Sequence, residues 1–327
     1  MTADKMIATV DNTANISVEN FSDTSIEGFI ASRHCSENTA RTYRNGIRQM
    51  LKYFAAQAIT APTTADVDNF INKLRADKKS DSTLRLYVTI TKLFFSYLAK
   101  HGIYRDVAAD CSPLRLDKST THNKESLSDA QAKKLLAAVK GSDVKARRDK
   151  AIIALALCTG VRTIEISRAN VENFVDCGSY WTLAVIGKRR TKADEKVKVA
   201  PVVAKMINDY LNLRGSVEDD APLFASNANN NSRYGVRLSA QSVGKTIARY
   251  MKLAGIKTKF NSAHSTRHFA AETALNAGIN IREVQSMLRH RSLNTTLIYI
   301  SDLAVKQRRA ELAIADSLFG GVALKEK

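Results

Sequence analysis

The chain reads as a mainly α-helical protein of two domains with one small β-hairpin or sheet in the second. Three observations predict this. Apolar residues recur at helical spacing through most of the chain. A polar, aperiodic stretch at residues 110–125 interrupts that pattern. Strand-like alternation is confined to residues 181–186 and 197–199, around a basic turn. A length of 327 residues also suits two domains better than one.

Residues 1–20 are polar and without period and read as a loosely ordered tail. A helix is expected near 24–33, and Ser36 is placed to cap a second in which Ala40, Tyr43, Ile47, Met50, Leu51 and Phe54 form one buried stripe. Arg41, Arg44, Arg48 and Lys52 line a neighbouring face, either as a solvated surface or as DNA-contacting cations. Helices near 65–76 and over 83–100 complete a four-helix unit spanning 21–109, with Leu84, Val88, Thr91, Phe94, Phe95 and Leu98 on one side of the last. Residues 110–125 are the expected linker, and 126–327 the second domain.

In that domain, 126–139 is helical, and Asp149 to Leu157 is a buried helix stopping at Thr159-Gly160. Two strands flank the basic segment Gly187-Lys188-Arg189-Arg190-Thr191-Lys192. Helices are expected at 201–213, 239–254, 267–277, 281–288, 293–299 and 302–316, with Asn227 to Asn231 an exposed loop.

The formal net charge is +18, of which residues 1–125 contribute +3 and 126–327 contribute +15. Such an excess points to a polyanionic partner, concentrated on the second domain. No apolar run approaches the ~20 residues needed to span a bilayer, and the first thirty residues do not resemble a secretory leader, so a soluble, cytoplasmic protein is expected. Cys35, Cys111, Cys158 and Cys177 form no C-x-x-C pair, which disfavours a disulfide framework or zinc site.

Four patterns carry chemistry: Thr159-Gly160-Val161-Arg162-Thr163-Ile164-Glu165-Ile166; Gly187-Lys188; His264-Ser265-Thr266-Arg267; and Leu288-Arg289-His290 with Thr295-Thr296-x-x-Tyr299. Taken singly, each has an ordinary structural explanation. In this order they resemble the tyrosine recombinase, or phage integrase, family, over residues 22–316.

The resemblance implies a helical, SAM-like core-binding domain followed by a catalytic domain, together closing on duplex DNA as a clamp. It implies that Arg162 and Arg267 grip the scissile phosphate, Lys188 is the hairpin lysine, His264 and His290 are the two histidines, and Tyr299 is the nucleophile. The product is a 3′-phosphotyrosyl link with release of a 5′-hydroxyl, reversed by the partner strand. It further implies a tetramer on two DNA sites through the amphipathic segment 302–316, unless that segment packs on its own protomer. Accessory bending or directionality factors are partners that the resemblance brings with it. Two uses of the same fold stay open beside recombination: relaxation of DNA in the manner of a type IB topoisomerase, and architectural binding without cleavage.

Physical chemistry favours the same residue types. Attack on a phosphodiester builds negative charge on the non-bridging oxygens, and two planar guanidinium forks neutralise it without a metal or cofactor. A phenol is a fair leaving group, so the covalent link conserves bond energy and needs no ATP. Lys188 suits proton donation to the departing alkoxide, with Lys192 the competing candidate, and Arg189 and Arg190 are further DNA-contact candidates. Glu165 either orients Arg162 or is an ordinary surface acid, and His268 is assigned to packing or surface. One departure concerns the common Leu-Gly-His, written Leu288-Arg289-His290 here: a long cation stands where a residue without Cβ is usual. The short N-terminal tail implies the simpler two-domain type, without an added arm-binding domain.

Overall fold

A computed structural model describes residues 21, 23–111, 125–187, 192–227, 235–293, 295–297, 314, 315 and 317. The chain divides into two units, Met1–Lys118 and Ser119–Lys327. The tail at 1–20, most of the expected linker, most of the Asn-rich loop and nearly all of 302–316 lie outside the described residues; Ile314 and Ala315 are helical and exposed.

The first unit holds four helices: α1 (Asp23–Ser32), α2 (Glu37–Ala56), α3 (Thr64–Ala76) and α4 (Asp81–Lys100). Each of the last three begins at a hydroxyl cap. Ser36, Thr63 and Ser80 accept from the main-chain N–H three residues on, and Asp66 returns the bond to Thr63 as a capping box. The predicted stripe of α2 is buried at Ala40, Ile47, Met50 and Phe54, while Tyr43 and Leu51 pack at its margin. It meets Leu84, Ile90, Phe94, Phe95 and Leu98 of α4 and an aromatic cluster in which Phe21 packs edge-on against Phe94, Phe95 and Tyr104.

The second unit contains α5 (Asp129–Ala137), α6 (Val144–Thr159), α7 (Thr163–Arg168), strands β1 (Phe174–Asp176), β2 (Trp181–Val185) and β3 (Glu195–Val199), then α8 (Pro201–Arg214), α9 (Ala240–Leu253), α10 (Ala263–Asn276) and α11 (Ile281–Leu288). The sheet is antiparallel in the order β1-β2-β3, so the expected hairpin gains a third strand. With only three residues, β1 is too short to show an alternation. Two helices also start earlier than expected. Asp143 caps α6, and Ser262 caps α10 by accepting from the N–H of His264. The second shift matters, because it puts both His264 and Arg267 in the first turns of one helix.

Helix α6 runs through the centre, with Ala151 to Leu157 all buried, and ends at Gly160 in the left-handed region at φ 61°. Beside it Asp149 is fully buried and accepts from Arg148, Arg249 and the Tyr250 hydroxyl. Arg148 continues to the carbonyl of Ala225, tying α6 to the segment before α9. Among the described residues no helix is long and apolar enough to cross a membrane.

Removing the carboxylate from this network leaves Arg148 buried without its counter-charge. Asp149→Ala is therefore expected to lower stability by about 3–5 kcal/mol, read as a downward shift of the urea midpoint of the full chain; an unchanged midpoint would show that the network contributes no net stability.

Candidate active site

Site residues from distant parts of the sequence converge in the second unit. Arg162 follows the left-handed turn at Gly160 and stands at the N-terminus of α7. Its main-chain N–H donates to Glu165 Oε2 at 2.8 Å and its Nη1 to Glu165 Oε1 at 2.7 Å. One carboxylate three residues on therefore caps the helix and aims the arginine. Of the two readings of Glu165, the geometry favours orientation of Arg162, since the acid is fully buried rather than at the surface. A quarter of the Arg162 side chain stays open to solvent.

Arg267 is 1% exposed and crosses between two helix ends. Its Nη1 donates to the carbonyl of Gly160 at 2.5 Å and its Nη2 to the carbonyl of Leu288, the last residue of α11. The glycine is required here: a Cβ at 160 would lie 2.6 Å from Leu288 Cδ2 and 3.5 Å from Arg267 Cγ, on a backbone already at positive φ. The Thr-Gly-x-Arg motif thus closes a helix, and the same turn supplies a carbonyl that fixes the second arginine.

Arg162, His264 and Arg267 line one open cleft of about 580 Å³, together with Gln241, Lys245 and Lys257. His264 is exposed, and its ring meets that of His268 edge-on with centroids 5.0 Å apart. His268 is buried at 4%, in keeping with the packing alternative. His290 is nearly buried, and its Nδ1 is 2.9 Å from the hydroxyl of the fully buried Thr296, three residues before Tyr299. Burial pushes the His290 pKa down to about 3, assisted by the charges of Arg267, Arg162, Arg289 and His264. The ring is neutral at physiological pH.

Lys188, Arg189, Arg190 and Tyr299 lie outside the described residues. Lys192 is exposed just before β3. In the first unit the basic stripe is not uniform. Arg44 forks onto Glu27 at 2.7 and 2.8 Å and reaches Glu37 at 3.0 Å, Arg48 pairs with Asp23 at 3.3 Å, and Arg41 donates to Asn38 at 2.7 Å. Lys52 is exposed. Arg44 is thereby a tie between α1 and α2 as much as a surface cation.

Sequence reasoning missed Lys245 and Lys257 of the cleft and the role of position 289. Arg289 adopts φ 55°, ψ 47°, the left-handed conformation that favours glycine and costs an L-residue roughly 1–2 kcal/mol. Its side chain is buried and donates from Nη2 to Glu165 Oε2 at 2.8 Å, a partner 124 residues away. Burial pushes the Glu165 carboxyl up, but the charge of Arg289 and the bonds and charge of Arg162 outweigh it and hold the pKa below the usual carboxylate range.

Comparison with known proteins places this geometry in context. The family model described as phage integrase family matches residues 125–305, and that described as phage integrase, N-terminal SAM-like domain, matches 26–102. Tyrosine recombinase XerA of Pyrococcus furiosus is 28% identical over 292 residues, covering 88% of this chain and 92% of its own. Tyrosine recombinase XerC of Roseiflexus castenholzii is 30% identical over 281 residues, covering 82% and 84%. Among solved structures, XerH site-specific recombinase bound to palindromic difH substrate, a post-cleavage complex, aligns with a TM-score of 0.69 at 20% identity, over 90% of this chain and 84% of that one. A lambda integrase dimer bound to a COC′ core site aligns with a TM-score of 0.63 at 17% identity, over 84% and 76%. These structural likenesses concern the fold.

The depressed pKa of His290 has a pH signature. Between about 3 and the ordinary value of 6.5 the unfolded chain binds a proton that the folded chain refuses. Stability from this group is therefore complete above pH ~6.5 and falls as the pH drops toward 3. The His290 ring resonance, assigned with a His290→Asn control, is expected to stay in its neutral position from pH 8 to pH 5; a midpoint near 6.5 would contradict the burial described.

Proposed function

The chain belongs to the phage integrase family and is a tyrosine site-specific recombinase, and we propose on that premise that it cuts and rejoins duplex DNA through a 3′-phosphotyrosine link formed by Tyr299. The observation that carries this reading is the convergence of Arg162, His264 and Arg267 on one cleft, with His290 in the field of all three. Arginines, histidines and flanking lysines around an open cleft suit a phosphodiester approached from solvent.

In this mechanism the Tyr299 oxygen attacks the scissile phosphorus and the bond from phosphorus to the 5′ oxygen breaks. The phenolic proton passes to His264, the exposed histidine of the cleft, and Lys188 protonates the departing 5′ oxygen. Arg162 meets the non-bridging oxygens with the part of its guanidinium that Glu165 does not hold. Arg267, held by two carbonyls, supplies a fixed positive field and a rigid wall. Neutral His290, positioned by Thr296, serves as a hydrogen-bonding partner at the phosphate rather than as a third charge. In the reverse step a 5′-hydroxyl from the partner duplex attacks the phosphotyrosine and restores the DNA backbone.

The proposal extends to a tetramer on two sites, joined through 302–316, in the cytoplasm. Integration or excision of an element and resolution of DNA dimers are the biological uses it fits. The cations Arg41, Arg44, Arg48, Lys52, Arg189, Arg190 and Lys192 are proposed as phosphate contacts outside the reaction centre. Accessory bending or directionality factors are proposed partners of the assembled complex.

Nicked suicide duplexes carrying a site recovered by binding selection from random DNA test the chemistry. With divalent metal chelated, the wild type is expected to form a covalent protein–DNA adduct on a denaturing gel. Tyr299→Phe is expected to bind equally and form none, because only the nucleophilic oxygen is lost; an adduct from this variant would refute the assignment. Lys188→Ala is expected to cleave slowly and to recover on a duplex with a 5′-thiol leaving group, which departs without a proton. Recovery of Lys192→Ala instead would move the acid to that residue. A four-way junction among the products distinguishes strand exchange from relaxation.

A further inference from the structure

Position 289 combines a backbone conformation that suits glycine with two features that a glycine would lack. The backbone sits at φ 55°, a guanidinium is buried to 6% exposure, and its Nε has no hydrogen bond among the described residues. What the side chain reaches explains its presence. Its Nη2 shares Glu165 Oε2 with the Arg162 main chain, while Arg162 Nη1 takes Oε1 of the same carboxylate. Its Nη1 donates to the carbonyl of Met287, closing α11, and its Nε lies 3.9 Å from Glu195 Oε2 at the start of β3.

We propose that Arg289 is a positioning residue for DNA cleavage: by sharing Glu165 with Arg162 it fixes that carboxylate and takes up part of its charge, so that Arg162 meets the phosphate with more of its own positive charge uncompensated. The inference rests on the reading of Arg162 as a phosphate-gripping residue. Glu165 held between two guanidiniums at 2.7–2.8 Å forms a group of net charge +1, which the more distant and partly exposed Glu195 at 3.9 Å offsets only in part, whereas Arg162 and Glu165 alone form a neutral pair. Toward a dianionic transition state an ion is a stronger partner than a dipole, the more so in a partly desolvated cleft. The contact with Glu195 adds a mechanical link. That residue begins the strand following the basic hairpin, so one side chain ties the base of the hairpin to the acid beneath Arg162.

The test separates charge from packing. Arg289→Gly removes the cation while suiting the backbone conformation, and Arg289→Met removes the charge but keeps bulk. Single-turnover cleavage is measured for each on the suicide duplex and on one with a neutral methylphosphonate at the scissile position. Both variants are expected to bind the duplex normally and to cleave the phosphate substrate about tenfold or more slowly than wild type. The deficit relative to wild type is expected to shrink on the methylphosphonate, where less charge develops.

A rate equal to wild type on the phosphate, or an equal deficit on both substrates, would overturn the proposal, the second outcome marking a structural role only. Should one variant not fold, the other is read by the same comparison. Tyr299→Phe runs alongside: an adduct from it would fault the assignment of the reaction centre, whereas its silence beside a fully active Arg289→Gly would fault this inference alone.

Discussion

The second unit depends on one buried guanidinium. Arg267 joins the end of α6, through the Gly160 carbonyl, to the end of α11, through the Leu288 carbonyl, from its own place in α10. Helix ends leave carbonyls without partners, and burying them is costly unless a donor is supplied. A charged fork with two parallel donors meets that need at two ends at once. Because Arg162 follows Gly160 by two residues and His290 follows Leu288 by two, the same bonds set the position of both. Fold and site are therefore not separable at this residue.

A second constraint lies beside it. Glu165 caps the short α7, orients Arg162 and receives Arg289, so one acid serves the helix, the cleft arginine and the neighbouring loop. Its ionised state is maintained by the two cations, against the burial that opposes it. Short helices gain little from propensity and depend on such tertiary contacts. The six residues of α7 are held by this carboxylate at one end and by the Ser167 hydroxyl donating to the Leu238 carbonyl near the other.

How much of this was legible in the sequence follows from how local each signal is. The stripes of α2 and α4, the Ser36 cap and the stop at Gly160 depend on neighbours within a turn or two, and all could be read directly. Strand β1 could not, because three residues carry no period. The early start of α10 rested on Ser262, a cap within a run whose polar residues mask the helical stripe. The motif arginines and histidines were recognisable as a set, but their bonds were not, since Arg267 reaches 107 residues back and Arg289 reaches 124. Arg289 stood out as a departure from pattern, yet its partner was beyond any local rule. The stripe of Arg41, Arg44 and Arg48 shows the opposite limit: spacing revealed a cationic face, but not that Glu27, Glu37 and Asp23 already engage part of it.

The surplus of positive charge in the cleft has an energetic meaning of its own. Arg162, Arg267 and Arg289 stand near one another, Lys245 and Lys257 line the same cleft as the first two, and Glu165 at 2.7–2.8 Å and Glu195 at 3.9 Å are the carboxylates against Arg162 and Arg289. Such crowding is unfavourable in the protein alone, and it adds to the burial that pushes the His290 pKa down to about 3. The repulsion is relieved by a ligand that brings negative charge without needing to be buried deeply, and most fully by a phosphate gaining charge in the course of reaction. An imidazole kept neutral by burial and by the same field is then a donor or acceptor that adds nothing to the repulsion. The arrangement gathers positive charge where the proposed mechanism places the phosphodiester.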